Sequence, residues 1–564
     1  METSPTPYVF KPHERPTLPG APANPDHPAS RRTGYLAIGT LIGITGGLGN
    51  ALVTVNLNFA QGTLGLYTNE SAWLTAAYFM TNVPANLLLV KYRQQFGLQP
   101  FIRYALLGYA LSTLLHLFLH GFWTSVLVRA VSGLAASGLT TLTILYFLQG
   151  MLPAKRLNGL MIGICIPQLA TPLARAISPR LLEWGDWHML YWFELGLALL
   201  TLGAVWALPL PPSEREKVFE PLDFLTCALL APALCLLVAV LSEGRIEWWT
   251  ERAWMGYALA ASVALIAAAL IVEHLRANPL IDTRWLGKRE LVRLMLVAAS
   301  VRILLSEQAF GSVGLLTVVG MLNDQMITLN LIVVCASIAG MLTAVITFKP
   351  TDLSTPINVA VALIAVGAFM DASSNNLTRP SSFYLSQALI GFASLLFLAQ
   401  TIVIGFARTL LTGGKQFISF IVLFSISQSV GGLVGTALLG TFQTVREKMH
   451  SHELVQSIML SDPLVAARIQ AGAAQLGGTL GDPALRAAAG AGALSQQVTR
   501  EANILAYNDV FMLVGVLAVL ALLWGFYIRW SIWRRGEISP VILLQKRMQE
   551  AAAAMATKPK TDRQ

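Results

Sequence analysis

The chain has 564 residues, of which 55% are hydrophobic and 12% charged, with a mean hydropathy of +0.60 and a formal net charge of +9. A soluble enzyme of this length would be far more polar, so most of the chain is read as membrane-embedded. The basic residues lie beside apolar runs instead of on one solvated face, which points to topogenic signals and away from nucleic acid, and the four cysteines (Cys165, Cys227, Cys235, Cys335) lack CxxC spacing and indicate neither a disulfide framework nor a metal site.

Residues 1–33 are rich in proline and polar groups and have no signal-peptide core, so they predict a disordered tail. Fourteen apolar stretches follow, at about 34–60, 72–90, 101–120, 122–152, 158–183, 187–208, 222–242, 254–275, 291–320, 327–348, 356–374, 382–408, 415–441 and 505–530. Each can cross about 30 Å of hydrocarbon at a rise of about 1.5 Å per residue. Arg31, Arg32, Lys91, Arg93, Lys155, Arg156, Arg215, Lys217, Arg284, Lys288, Arg289, Lys349, Arg408, Lys415, Arg534 and Arg535 then share one side. That side is the cytoplasm by the positive-inside rule, which puts both termini inside and requires an even number of spans. The opposite connections 61–71, 120–125 and 322–326 contain no Lys or Arg, although Arg245, Arg252 and Arg379 break the pattern elsewhere.

The connection 442–504 is too long for a turn. Val445, Met449 and Leu454 predict a short amphipathic helix at its start, and its Ala/Gly-rich middle has too few large apolar residues for a core. It reads as an interaction or gating element, or as a solvated insertion. His450 and His452 form an HxH pair without further ligands nearby, a weak metal signal.

Five segments in order carry a family resemblance: Val55-Asn56 with SAWLTAAYFM at 71–80; LVRAVSGLAASG at 127–138, with Arg129 and Gly133; DWHMLYWFELG at 186–196; NPLIDTRWLGKRELVR at 278–293; and SQSVGGLVGTALLGTFQTVREKMH at 427–450 followed by AYNDVFMLVG at 506–515. Over about residues 34–530 the chain resembles the major facilitator superfamily, and within it the fourteen-helix drug:proton antiporters of the EmrB/QacA type. The resemblance implies an all-α polytopic membrane protein with two six-helix bundles, 34–208 and 276–530, and a linker with two inserted helices at 209–275. Residues 531–564 form a second cytoplasmic tail. Three positions depart from the family pattern: Ala51 stands where related pumps carry an acidic residue, Gln94 where they carry Asp, and ATPLARAISP at 170–179 brings Arg175 into the fifth helix.

An ionised group in hydrocarbon costs several kcal/mol, so each charge inside a span is a functional candidate. Arg175 and Glu194 lie at similar distances from the turn near 184–185 and are expected to approach each other, either as a bracing ion pair or with Glu194 as a proton carrier. Arg302 and Glu307 lie within the ninth span on different faces, and Glu307 is a second proton-carrier candidate beside a bracing alternative. Arg129 is placed to act on a neighbouring carboxylate. A coupling role for Glu194, Glu307 and Arg129 requires that they face one aqueous space. Asn50, Asn56, Asn82, Gln168, Gln308 and Gln428 are candidate cavity-lining residues, with interhelical hydrogen bonding as the plainer role. Asp223, at a helix start, reads as a cap, and Gly431, Gly432 and Gly435 as a packing surface.

No nucleotide-binding, nucleophile or zinc-protease motif occurs, and no cofactor is indicated. The expectation is a proton-driven exporter of hydrophobic or amphipathic compounds in a bacterial inner membrane. By resemblance its partners are lipid, a small-molecule substrate and protons, with a periplasmic adaptor docking on 442–504 and an outer-membrane channel beyond it. A proton symporter or facilitator for a specific metabolite is the second reading, and a sensor without transport the third.

Overall fold

The computed structural model describes residues 20–412, 416–475, 478–536 and 539–556. Fourteen long helices organise them: α1 (Ala29–Val55), α2 (Thr68–Phe96), α3 (Leu98–Phe118), α4 (Phe122–Gly150), α5 (Arg156–Trp184), α6 (His188–Ala207), α7 (Pro221–Glu243), α8 (Ala253–Leu275), α9 (Arg289–Val318), α10 (Ile327–Ile346), α11 (Ser354–Asp371), α12 (Pro380–Leu411), α13 (Phe417–Gln456) and α14 (Pro483–Arg535). Among the described residues, thirteen helices are long and apolar enough to cross a membrane. The other long helix, α2, has 29 residues, but Asn82, Asn86, Lys91 and Arg93 interrupt its apolar run.

The helices pack as two groups with an inserted pair. In the first, α1 packs on α4, α5 and α6, and α3 on α4 and α6; in the second, α12 packs on α10 and α11, and α14 on α11 and α13. α7 and α8 pack on each other, and α7 also reaches α2 and α13. The groups meet where α5 touches α10 and α12 and where α2 touches α13. Val263, Leu270 and Ile271 of α8, like Leu111, Trp123 and Leu520 elsewhere, turn outward, as expected where the solvent is lipid.

Local chemistry sets several boundaries. Gly97, at φ 91°, ends α2 and lets α3 begin at the next residue. Pro221 opens α7 behind a reciprocal cap, in which the Asp223 carboxylate accepts from the Glu220 amide at 2.9 Å. In α5, Ile166–Leu169 tighten into a 3₁₀ turn around Pro167, and in α9, Glu307–Ser312 widen into a π-helical turn.

Asp223 is more than a cap. It accepts from Lys91 Nζ at 2.7 Å and from Arg276 Nη2 at 2.8 Å, and Arg276 Nη1 reaches Glu273 Oε1 at 2.7 Å. Glu273 also takes the Thr226 hydroxyl and the Ile281 amide. This ionic cluster fastens the inserted pair to α2. Outside the spans, burial works against the Arg276 charge, but the three carboxylates of Asp223, Glu273 and Glu220 raise its pKa above the ordinary guanidinium value.

Two segments differ from the sequence expectation. Residues 1–19 of the expected tail lie outside the described residues, but 20–28 form a strap across one end of the bundle. The Ala23 amide donates to Pro212 O at 2.9 Å, Gln149 Nε2 donates to Ala23 O at 2.8 Å, and His27 Nε2 lies 2.9 Å from Gln149 Oε1. The small side chains of Ala21 and Ala23 allow this burial. The connection 442–504 is largely helix: α13 runs 40 residues and α14 runs 53, about 60 and 80 Å, so both project well beyond a bilayer. Between them Pro463–Gln475 packs on α14, where a Cβ at Gly472 would lie 3.3 Å from Gly490 Cα. The Ala/Gly composition that argued against a core permits this close helix approach. His450 binds Asp509 at 2.7 Å, and no group of three metal-ligating side chains occurs among the described residues.

Candidate functional site

Two cavities lie between the two groups of helices, one above the other. The first, about 140 Å³, has α5 as one wall, with Gln168, Thr171, Pro172 and Arg175; residues of α9, α10, α12 and α13 form the other, among them Arg302, Gln308, Asn330, Gln387 and Gln428. The second, about 160 Å³, lies toward the strap and is lined by Ala21, Asn82, Asn86 and Arg93 with apolar residues of α4, α12 and α13. Gln168, Leu398 and Gln428 belong to both and form the waist between them.

At the end away from the strap the halves are latched. Asn323, between α9 and α10, donates to Val55 O at 2.9 Å and to Asn56 Oδ1 at 3.2 Å, while its Oδ1 accepts from Arg175 Nη1 at 3.3 Å. Asn56, expected in the cavity wall, lines neither cavity and lies instead in this contact between the halves. Asn82, Gln168, Gln308, Gln428, Arg175 and Arg302 do line the two cavities. Arg302 donates from Nε to Gln428 O at 3.1 Å and lies along Gly431 and Gly432, whose missing side chains make its room; Gly435 does the same for Ser306.

The expected approach of Arg175 to Glu194 does not occur. Equal depth in a hairpin does not fix rotation about the helix axis, and past the Pro167 turn α5 aims Arg175 at the cavity. Glu194 instead faces α3, where Oε1 accepts from Tyr109 Oη at 2.9 Å and Thr113 Oγ1 at 3.4 Å. The Tyr109 hydroxyl also lies 3.0 Å from Thr45 O, and a Cβ at Gly49 would come 2.6 Å from Glu194 Oε1. Arg129 belongs to the same fully buried cluster. It donates to Leu74 O at 3.2 Å, Gly49 O at 3.1 Å and Asn50 Oδ1 at 2.5 Å, and its guanidinium lies 4.8 Å from the Tyr78 ring centroid. Asn50 is thus an anchor for Arg129 and not a cavity residue.

Glu307 sits in the other half, at the widened turn of α9. Gln387 Nε2 donates to Glu307 Oε1 at 3.1 Å and to Asp371 Oδ2 at 2.8 Å, so one amide bridges two buried carboxyls. Glu194, Glu307 and Arg129 therefore do not face one aqueous space: none of them lines either cavity. Glu307 comes nearest, because its partner Gln387 forms part of the wall and Gln308 Nε2 donates to Gln387 O at 3.2 Å.

Sequence reasoning passed over Asp371, Gln387, Tyr109 and Arg93. Asp371 falls at the end of a predicted span, where a carboxylate is ordinary, and Arg93 reads as a topogenic charge although it is 2% exposed. The available signal for Asp371 was an acid followed one helix later by Gln387, at a similar distance from the intervening connection.

No family model and no curated protein matches the chain. Solved structures do. The human organic anion transporter MFSD10 superposes with a TM-score of 0.52 at 13% identity, covering 87% of this chain and 100% of its own. A bacterial homologue of the human drug peptide transporters PepT1 and PepT2 gives 0.54 at 13% identity, covering 89% and 99%. The chain has the major facilitator fold. In a major facilitator fold two helix bundles enclose a central space, and the cavities, the waist and the Asn323 latch all lie at that junction. Tetrameric PepTSo2 superposes similarly, with a TM-score of 0.53 at 13% identity over 89% of this chain and 99% of its own.

Proposed function

We propose that this protein is a proton-coupled secondary transporter that exports hydrophobic or amphipathic small molecules by alternating access. The observation that carries the reading is the polar cavity shared by both halves, with a pair of buried carboxyls one residue behind its wall. Two carboxyls that meet at one amide without a cation are suited to hold and release a proton. Glu307 and Asp371 are therefore the coupling candidates, and the Glu194–Arg129 cluster braces the first half. The substrate enters between the halves, and rocking about the waist breaks the Asn323 latch at one end as the strap end closes.

Export, the EmrB/QacA kinship and the bacterial inner membrane rest on the sequence resemblance. At the projecting end of α13 and in the segment that follows it, Val455, Met459, Leu460 and Leu464 are exposed, which suits a periplasmic adaptor followed by an outer-membrane channel. A proton symporter is the second reading, favoured by the Arg175 guanidinium that replaces the family's fifth-helix pattern in the cavity. Proteoliposomes loaded with a pH-sensitive dye separate the readings. On addition of an amphipathic compound at the face it enters, protons move against the compound in export and with it in symport. Absence of any compound-dependent proton flux across a panel of neutral, anionic and cationic naphthalene derivatives refutes both.

A further inference from the structure

The two cavities hold three guanidiniums and, among the described residues, no Asp or Glu lines either one. Arg175 extends from the first half and Arg302 from the second, and both point into the same cavity. Their hydrogen bonds are to an amide oxygen of Asn323 and to the backbone carbonyl of Gln428, both neutral acceptors. Arg93 lines the cavity on the strap side, almost fully buried, and its Nε has no hydrogen-bond partner.

Arg93 is buried and Arg175 and Arg302 are half-buried, and a permanently charged group drawn out of bulk water is costly unless it is paired. Of the buried acids elsewhere in the spans, Asp223 and Glu273 bind Lys91 and Arg276, Glu307 and Asp371 bind Gln387, and Glu194 binds Tyr109, while the Glu243 carboxylate at the end of α7 has no hydrogen-bond partner but lines neither cavity. The charge missing from the cavity is therefore one that a ligand brings. Leu329, Val333 and Phe397 give the same cavity an apolar side, so the ligand has an apolar body as well.

We propose that the transported compounds are amphipathic organic anions, and that Arg175 and Arg302 clamp the acidic group from opposite halves. This rests on the transport reading above and narrows its substrate class. Arg93 forms the next station along the path. Arg175 has a second consequence, because its guanidinium also holds Asn323: an anion that draws it into the cavity loosens the latch on the far end.

The test uses the purified full-length protein and three probes with one apolar body and different charge: 1-naphthylacetate, 1-naphthylacetamide and 1-naphthylethylamine. Binding is read from probe fluorescence anisotropy and transport from flux in proteoliposomes. The wild-type protein is expected to prefer the anion by about tenfold or more, the ratio of a charge-assisted to a neutral hydrogen-bond pair. Arg175→Gln and Arg302→Gln each lower that preference to near unity while amide binding is retained, and Arg175→Lys falls between. Arg93→Gln slows flux with little change in affinity. Equal wild-type affinity for the three probes, or preference for the amine, overturns the proposal without any variant being needed. Anion-selective binding without flux under any gradient sinks the transport reading and leaves the anion site standing; proton-coupled flux of the neutral probe with no anion preference does the reverse.

Discussion

The carboxyl pair offers the sharpest test of proton coupling. Both Glu307 Oε1 and Asp371 Oδ2 touch Gln387 Nε2, so the two acceptor oxygens are at most about 6 Å apart; if both carried charge, their repulsion at an effective dielectric of about 20 would be about 3 kcal/mol. Glu307→Gln keeps the oxygen that accepts from Gln387 and places its amide nitrogen where Oε2 already has no partner. If the pair shares a proton, this exchange leaves stability within about 1 kcal/mol of wild type, the scale of one neutral hydrogen bond. If both groups were ionised, it would stabilise the protein by about the 3 kcal/mol of relieved repulsion. Function changes regardless. For each coupled proton, one pH unit supplies about 1.4 kcal/mol, or tenfold in accumulation. Glu307→Gln and Asp371→Asn should each abolish that response while substrate counterflow persists. The assays are denaturant titration in detergent and gradient-driven flux in proteoliposomes. Full pH-driven accumulation in both variants would refute the assignment, and a marked gain in stability would refute the shared proton.

Asp223→Ala leaves Lys91 and Arg276 facing each other without their common anion, and should cost about 3 kcal/mol, the lower end for a broken buried pair because Glu220 remains partly open to water; an unchanged denaturation midpoint would contradict the bracing role. Gly49→Ala drives a methyl group between Tyr109 and Glu194 and should cost about 1–3 kcal/mol from overpacking, with Gly62→Ala, which meets no neighbour, as the control; equal stability of the two variants counts against the packed cluster. Asp352, outside the spans, is opposed by burial, but its hydrogen bonds from Thr355 and Ser354 and the Arg529 charge hold it below the ordinary carboxylate pKa. Its contribution is therefore present above about pH 4 and fades as the pH falls through its lowered value, so Asp352→Asn should flatten the acid side of the stability profile. A variant profile parallel to wild type down to that range would exclude the effect.

The membrane class and the order of the spans were legible because hydropathy and helix length act over many residues and tolerate local error. What depends on rotation about a helix axis was not. Arg175 and Glu194 sit at the expected depths yet diverge, because the turn at Pro167 and the packing of α6 on α3 decide where each side chain points. Lys91 and Arg93 illustrate a second limit: a charge near a span end has the same sequence signature whether it meets water or, as here, a buried acid and a cavity. The extended helices over 442–504 escaped for a third reason. Ala and Gly contribute little to an apolar pattern, although their small size is what lets Gly472 and Gly490 bring two helices together.

Direction of transport follows from the sign of the linkage between proton and substrate. Gln387 touches both the carboxyl pair and the cavity, and Gln308, also in the cavity wall, donates to its backbone carbonyl. Protonating the pair removes negative charge from behind the wall, so through-space electrostatics alone strengthens the cavity's attraction for an anion. Reciprocity then requires that the bound anion strengthen proton binding equally. Tighter binding of 1-naphthylacetate as the pH is lowered through the titration of the pair, while remaining above the probe's own, with the dependence lost in Glu307→Gln, is the outcome that supports the symport reading over proton-driven export. Such cooperativity favours movement of proton and anion together. A weakening of affinity over the same range would mean that the Gln308–Gln387 link reverses the local field, because proton and substrate then exclude each other, and it would return the balance to antiport and export.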